Sequence, residues 1–276
     1  VRYDLPLADG LSLSLGDAPG ASDYPTGRLG KGLLLTDGGK ELAGEGVGFG
    51  VPVLKRGLQT VFPGRVRPAR VPATRGWGVR ATFTMDLVER LSGPRGDTLT
   101  SAPLYAAKDV LAAVHRRFPA LRRPLTAVSS GLRRAFGWRT AYVATASAGT
   151  VTVTYAATSA GRVHVAVDLS ALRTDGLTEA VVMNEQGAPA FDRYRDSDGA
   201  ALSDGDIGEW QEVGAAEARF ADSAAGVYFG VRRAPPARLY RGRELVGSRL
   251  AWAGFAYVLP PGVDRFEYDI EIGRTR

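Results

Sequence analysis

No cysteine occurs anywhere in the chain. Disulfides, thiolate nucleophiles, Cys-ligated zinc and iron–sulfur clusters are thereby excluded. Histidine is nearly absent too, with only His115 and His164. A His-rich metal centre is therefore excluded, and any Ser-His-Asp triad must use one of these two. Lysine stands only at 31, 40, 55 and 108, so arginine carries most of the positive charge. No apolar run approaches the ~20 residues of a bilayer-spanning helix. The opening Val1-Arg2-Tyr3-Asp4 has no apolar h-region of the kind that marks a secretory signal. With cysteine absent as well, the expectation is a cytoplasmic rather than a secreted setting.

What is there is an ordinary globular composition, 45% hydrophobic and 23% charged over 276 residues. That length suits one large all-β domain spanning 1–276, with a sizeable core. The net charge of +6 is unevenly placed. Between 104 and 139 lie Lys108, Arg116, Arg117, Arg122, Arg123, Arg133, Arg134 and Arg139, opposed by Asp109 alone. The basic character therefore belongs to one segment, and the rest of the chain is close to neutral.

Period-two alternation and short apolar runs bounded by turn residues predict strands over 11–15, 33–35, 44–54, 59–62 and 79–85. The β pattern returns over 140–156, 162–169, 179–183, 227–232, 250–259 and 266–272. Between these two groups the period changes. Leu104, Ala107, Leu111, Val114 and Phe118 recur at three and four, as do Leu121, Leu125, Val128, Leu132 and Phe136. Pro119 separates the two runs, and Gly137 ends the second. The expectation is a mainly β protein, a large antiparallel two-sheet β-sandwich with a basic helical hairpin inserted at 104–137.

The most unusual stretch is Gly44-Glu45-Gly46-Val47-Gly48-Phe49-Gly50-Val51-Pro52. Four glycines on alternate residues strip one face of a strand, and a ligand or another backbone can then approach closely. It is no dinucleotide fingerprint, because Val51 stands where a third small residue belongs and no helix pattern follows. Either a ligand lies on the bare face, with Lys40, Glu41 and Glu45 near it, or a core aromatic such as Trp252 covers it.

Several other stretches carry chemistry. Asn184-Glu185 at the end of an apolar strand has the residue types that bind and protonate a sugar, or it forms a plain turn. The acid-dense run from Asp192 to Trp210 offers Asp196, Asp198, Asp204 and Asp206 as oxygen ligands for Ca²⁺. An EF-hand register fails there, since Ala200 and Ile207 fall on ligand positions. In the same run Asp196 and Glu209 are candidate acid/base carboxylates, with Arg195 and Trp210 as sugar contacts. Tyr240, Arg241 and Trp252 are further candidates, or else core and hairpin residues. Glu267, Asp269 and Glu271 alternate as an acidic stripe, a solvated face or a partner for nearby arginines. His115 reads as a helix-surface residue and His164 as a packed one. The basic stretch 108–139 suits an anionic surface, whether lipid, nucleic acid or acidic polysaccharide.

Together these residues point to carbohydrate recognition or processing, with Glu45, Glu185, Asp196, Asp198 and Glu209 converging in one cleft. A non-enzymatic protein that meets an anionic surface through the basic segment is the alternative. A structural role, with the helices covering a sheet edge or a partner, is a third.

The motifs 44–52, Asn184-Glu185-Gln186-Gly187 and Ala251-Trp252-Ala253-Gly254 resemble those of an uncharacterised prokaryotic (archaeal) all-β family. The extended β pattern is also loosely similar to the large sandwiches of galactose-mutarotase-like and polysaccharide-lyase proteins. That likeness is one of architecture. It implies a large β-sandwich and a sugar ligand, and it carries over no catalytic residue.

Overall fold

The structure, a computed structural model, describes residues 3–15, 30–42, 46–56, 59–74, 76–94, 138–159, 161–187, 190–246 and 250–275. The expected helical hairpin at 104–137 lies outside the described residues, as does Glu45. What is described is mainly strand, arranged in two antiparallel sheets.

The smaller sheet takes the first four strands in order, β1 (Tyr3–Pro6), β2 (Leu11–Leu15), β3 (Leu34–Asp37) and β4 (Lys40–Glu41). Strict alternation in Leu-Ser-Leu-Ser-Leu places Leu11, Leu13 and Leu15 in the core. The larger sheet contains β5 (Gly48–Arg56), β6 (Gln59–Pro72), β7 (Trp77–Pro94), β8 (Trp138–Ser159), β9 (Arg162–Asp168) and β10 (Glu179–Gly187). It continues with β11 (Arg193–Asp196), β12 (Ala201–Ser203), β13 (Gln211–Glu212), β14 (Glu217–Asp222) and β15 (Val227–Arg232). Its last members are β16 (Arg238–Val246), β17 (Leu250–Leu259) and β18 (Arg265–Arg274). The spatial order is β12-β11-β14-β15-β18-β9-β8-β7-β6-β5-β10-β17-β16-β13.

The fourteen-stranded sheet folds over so that its two halves face each other. Phe49 on β5 meets the ring of Phe229 on β15 at 5.2 Å. Phe255 on β17 meets Phe220 on β14 at 4.9 Å, and Tyr257 meets Tyr268 on β18 at 4.6 Å. These edge-on and tilted contacts are the favoured aromatic geometries, and they fill the space between the halves. Both layers of the sandwich are thus supplied by one continuous sheet, rather than one sheet each. The two outermost strands, β12 and β13, are joined by residues 204–210, which begin with a 3₁₀ turn at Asp204–Asp206. The acid-dense run is therefore the seam where the sheet nearly closes on itself, a way of protecting exposed edges. The small sheet packs on β6, β7 and β8 through β1 and on β5 through β3, with a bridge between Leu33 and Phe49.

The glycine stretch differs from the expected flat strand. Gly48 and Gly50 adopt left-handed φ values of 93° and 73°. The β5–β10 register slips beside them, between Met183 and Asn184. Their missing side chains are replaced by protein. A Cβ on Gly46 would lie 2.6 Å from the Gly187 nitrogen, and one on Gly48 2.7 Å from the Gly32 carbonyl carbon. One on Gly50 would lie 2.7 Å from the Tyr155 hydroxyl. The bare face is filled by backbone and Tyr155, so this stretch serves packing.

Candidate functional site

Strand pairing assembles a polar row on the outer face of β11, β14, β15, β18 and β9. In register it reads Arg195, Arg219, Gly230, Glu271 and Arg162. Each strand buries its alternate residues (Tyr194, Phe220, Phe229, Ile270 and Val163) and so turns this row outward. Gly230 leaves a gap in the row, and a cleft of about 280 Å³ opens over it. One wall carries Arg195 and Arg219, and Arg162 and Glu271 stand across from it. Glu217, Arg232 and Asp269 form the adjoining edge, and Tyr228 closes the other.

Most of the carboxylates are engaged locally. Glu217 Oε1 pairs with Arg232 Nη2 at 2.8 Å. Glu271 Oε1 accepts the Tyr228 hydroxyl at 2.8 Å. Partial burial, followed by this carboxylate, raises the Tyr228 pKa above its ordinary value. Asp269 lies 3.0 Å from His164 Nδ1, whose other nitrogen is 3.6 Å from Glu267. His164 is thus a half-exposed partner of the acidic stripe rather than a packed core residue. The Arg219 guanidinium rests over the Tyr228 ring at 5.6 Å.

Among the described residues, the candidate sugar and metal contacts that reach this cleft are Arg195 and Asp196, joined there by Asp269 and Glu271 of the acidic stripe. Asp196 is committed to its own turn. Its Oδ2 accepts the Tyr194 hydroxyl at 2.8 Å, and its Oδ1 accepts the Asp198 and Ala200 amides at 3.1 and 3.0 Å. Asp198 is exposed at that turn. Asp204 lies 3.4 Å from Arg243, and Asp206 is exposed in the 3₁₀ turn. The expected Ca²⁺ ligands are therefore not brought together. Among the described residues no group of three or more acidic, His or Cys side chains is arranged to hold a metal.

Glu209 and Trp210 belong to the seam, where Trp210 is exposed. Arg241 points inward and fastens that seam rather than a substrate. It donates to the Ile207 carbonyl at 2.5 Å and to Gln211 Oε1 at 2.9 Å, and it stacks on Tyr194 at 4.7 Å. Tyr240 sits on the opposite surface beside Arg238 and Glu212. Lys40 and Glu41 are exposed on β4, in the other sheet. The backbone of Trp252 pairs with Gly187 and Glu244, and its side chain is outside the described residues.

Asn184 and Glu185 are buried on β10. The Asn184 Oδ1 accepts the Tyr268 hydroxyl at 2.6 Å and the Gly50 amide at 3.1 Å. This amide is the hub of an interior network, not a sugar contact. The Tyr155 hydroxyl donates to the Phe49 carbonyl at 2.6 Å, and Gln186 Oε1 accepts the Leu35 amide at 3.1 Å. Glu185 lies between Gly48 on β5 and Gly254 on β17. It makes no hydrogen bond or ion pair among the described residues, and burial pushes its pKa up to about 8. The expected convergence of carboxylates fails, because Glu185, Asp196 and Glu209 stand in three different places.

Sequence reading missed Arg162, Arg219, Tyr228, Gly230 and Arg232. The outward alternation Tyr228-x-Gly230-x-Arg232 and Glu217-x-Arg219 was a usable signal. Nothing in it told which strands would be neighbours. Comparison with protein-family models, with curated proteins and with solved structures finds no match.

Proposed function

We propose that the chain binds a carbohydrate in the Gly230 cleft. The observation that carries this reading is the cleft itself. It is an open trough with a glycine floor, flanked by guanidinium and carboxylate groups and one tyrosine. Planar guanidinium and carboxylate groups can bridge neighbouring sugar hydroxyls with two hydrogen bonds each. Tyr228 offers an amphipathic ring beside them. A volume of about 280 Å³ is near the low end of the ~300–1,000 Å³ typical of ligand sites and suits one sugar unit of a longer chain.

The reading is of binding, not turnover. The carboxyl whose pKa is raised into the neutral range, Glu185, is buried on β10 and does not line the cleft. Titration calorimetry against a panel of oligosaccharides tests it. Saturable binding that Tyr228→Ala and Arg162→Ala each weaken severalfold is the expected result. Panel-wide silence at millimolar sugar, or cleft variants that bind like the wild type, would overturn it.

A second reading draws on the β7–β8 pair. The last β6 partner of β7 is Val88, yet β7 and β8 keep pairing to Pro94↔Trp138. This ribbon leads into and out of the basic stretch, whose period in sequence is helical. In this reading residues 108–139 meet an anionic surface. Binding to anionic vesicles or DNA that weakens steeply with salt supports it, and salt-insensitive or absent binding overturns it.

A further inference from the structure

We infer that the cleft takes an acidic carbohydrate, with the carboxylate or sulfate group seated between Arg195 and Arg219. This rests on the carbohydrate reading and narrows it to a ligand class.

The register of β11 and β14 sets Arg195 directly opposite Arg219. Directly opposed like charges on neighbouring strands destabilise a sheet. The adjoining row shows the usual remedy, with Glu217 opposite Arg232 and the two joined at 2.8 Å. No such remedy meets Arg195 and Arg219. Among the described residues neither forms a salt bridge, and the contact of Arg219 is the Tyr228 ring. Asp196 is next to Arg195 in sequence, but a hydroxyl and two backbone amides occupy its oxygens.

The third member of the row is Gly230, where a Cβ would lie 3.1 Å from the Ala218 carbonyl oxygen and 3.2 Å from the Arg219 Cβ. With strands ~4.8 Å apart, the missing side chain leaves a trough about 10 Å wide between Arg219 and Glu271. A sugar ring lying in it reaches the arginine pair on one side and Glu271 and Arg162 on the other. The two ends differ in charge. Glu271 and Arg162 are a neutral pair suited to hydroxyls, whereas the other end sets two guanidiniums side by side, neither in a salt bridge among the described residues, and suits an anion.

The test uses the full-length protein and three trisaccharides of the same linkage: neutral galactose, galacturonic acid and sulfated galactose. Free acetate and inorganic sulfate complete the set, with affinities measured by calorimetry at low and high salt. The expected result is that an acidic trisaccharide binds at least about tenfold tighter than the neutral one. That preference should shrink in high salt and disappear in the Arg195→Gln/Arg219→Gln variant. Whichever acidic sugar binds tighter names the group. Equal affinity for all three sugars overturns the anion assignment and leaves the carbohydrate reading standing. Binding of acetate or sulfate with no trisaccharide bound overturns the carbohydrate reading. A double variant that retains the full preference overturns the seating between these two residues. Because the substitution relieves like-charge repulsion at an exposed position, its melting temperature should not fall, which separates lost binding from lost fold.

Discussion

Two glycine-bearing patches on the large sheet have opposite fates. At Gly46, Gly48 and Gly50 the space left by absent side chains is occupied by the 186–187 backbone, the Gly32 carbonyl and Tyr155. The neighbouring polar groups of Asn184 are consumed within the protein. At Gly230 a Cβ would also be crowded, by the Ala218 carbonyl oxygen at 3.1 Å and the Arg219 Cβ at 3.2 Å, but a cleft opens over the strand, and among the described residues Arg195 and Arg219 at its rim form no salt bridge. A glycine in a strand marks close approach. Whether the approaching group is the chain itself or a ligand depends on what lies across from it. The polar inventory around the two patches shows the difference. The inner patch is nearly satisfied, whereas the outer one keeps two opposed arginines.

Substitutions at the two patches should separate them. Gly50→Ala is expected to have the largest effect, because the backbone is left-handed and a Cβ would meet the Tyr155 hydroxyl at 2.7 Å. A loss of about 3 kcal/mol in urea unfolding is expected, from strain and overpacking together. Gly230→Ala has no left-handed strain, but its Cβ would meet the Ala218 carbonyl oxygen at 3.1 Å, so it should cost about 1 kcal/mol, less than Gly50→Ala, while weakening ligand binding. Equal losses at the two positions would erase the distinction.

Glu185 gives the next effect. Its folded pKa of about 8 lies above its ordinary 4.5. The folded state therefore favours the proton more than the unfolded state does. The stability that this group contributes is full below pH ~4.5 and is lost as pH rises through ~8. Urea midpoints at acid and mildly alkaline pH should diverge in the wild type, with the divergence largely removed in Glu185→Gln. A variant with the same pH slope as the wild type would place the titration elsewhere.

Tyr268→Phe removes the hydroxyl that donates to Asn184 Oδ1 and should cost about 1 kcal/mol, since the Gly50 amide remains bonded to the same oxygen. The smallest effect is expected from Glu217→Gln. The Glu217–Arg232 pair is exposed, and its loss should cost no more than about 0.5 kcal/mol in a denaturant series. A larger loss there would mean that charge balance on the outer face governs stability as well as binding.

Much of the fold was readable from the sequence. Phe266, Tyr268, Ile270 and Ile272 alternate with acidic residues, and the first set is buried as that pattern requires. The strand at 227–232 matches its expected bounds, and the one at 250–259 does too. The long hairpin ribbon was less legible, because its strands run well past the strongest alternation, to 94 and from 138.

The site was legible only in fragments. Arg195 drew attention through its acid-dense neighbourhood, whereas Arg219 and Gly230 sit in ordinary alternating strands. Asn184 and Arg241 looked exposed and chemical, yet Asn184 is buried and Arg241 is half-buried and both serve the structure, because a polar residue on a strand can serve the protein's own network as readily as a ligand. Composition and period two by themselves determined a mainly β fold without thiol chemistry, and which side chains share a strand face. That information is local, fixed by the pleat within a few residues. The neighbours of each strand, the folding of one sheet into two layers and the arginine row were decided by tertiary structure. Those pairings join residues far apart in the chain, such as Arg162 with Glu271, and no local pattern encodes them.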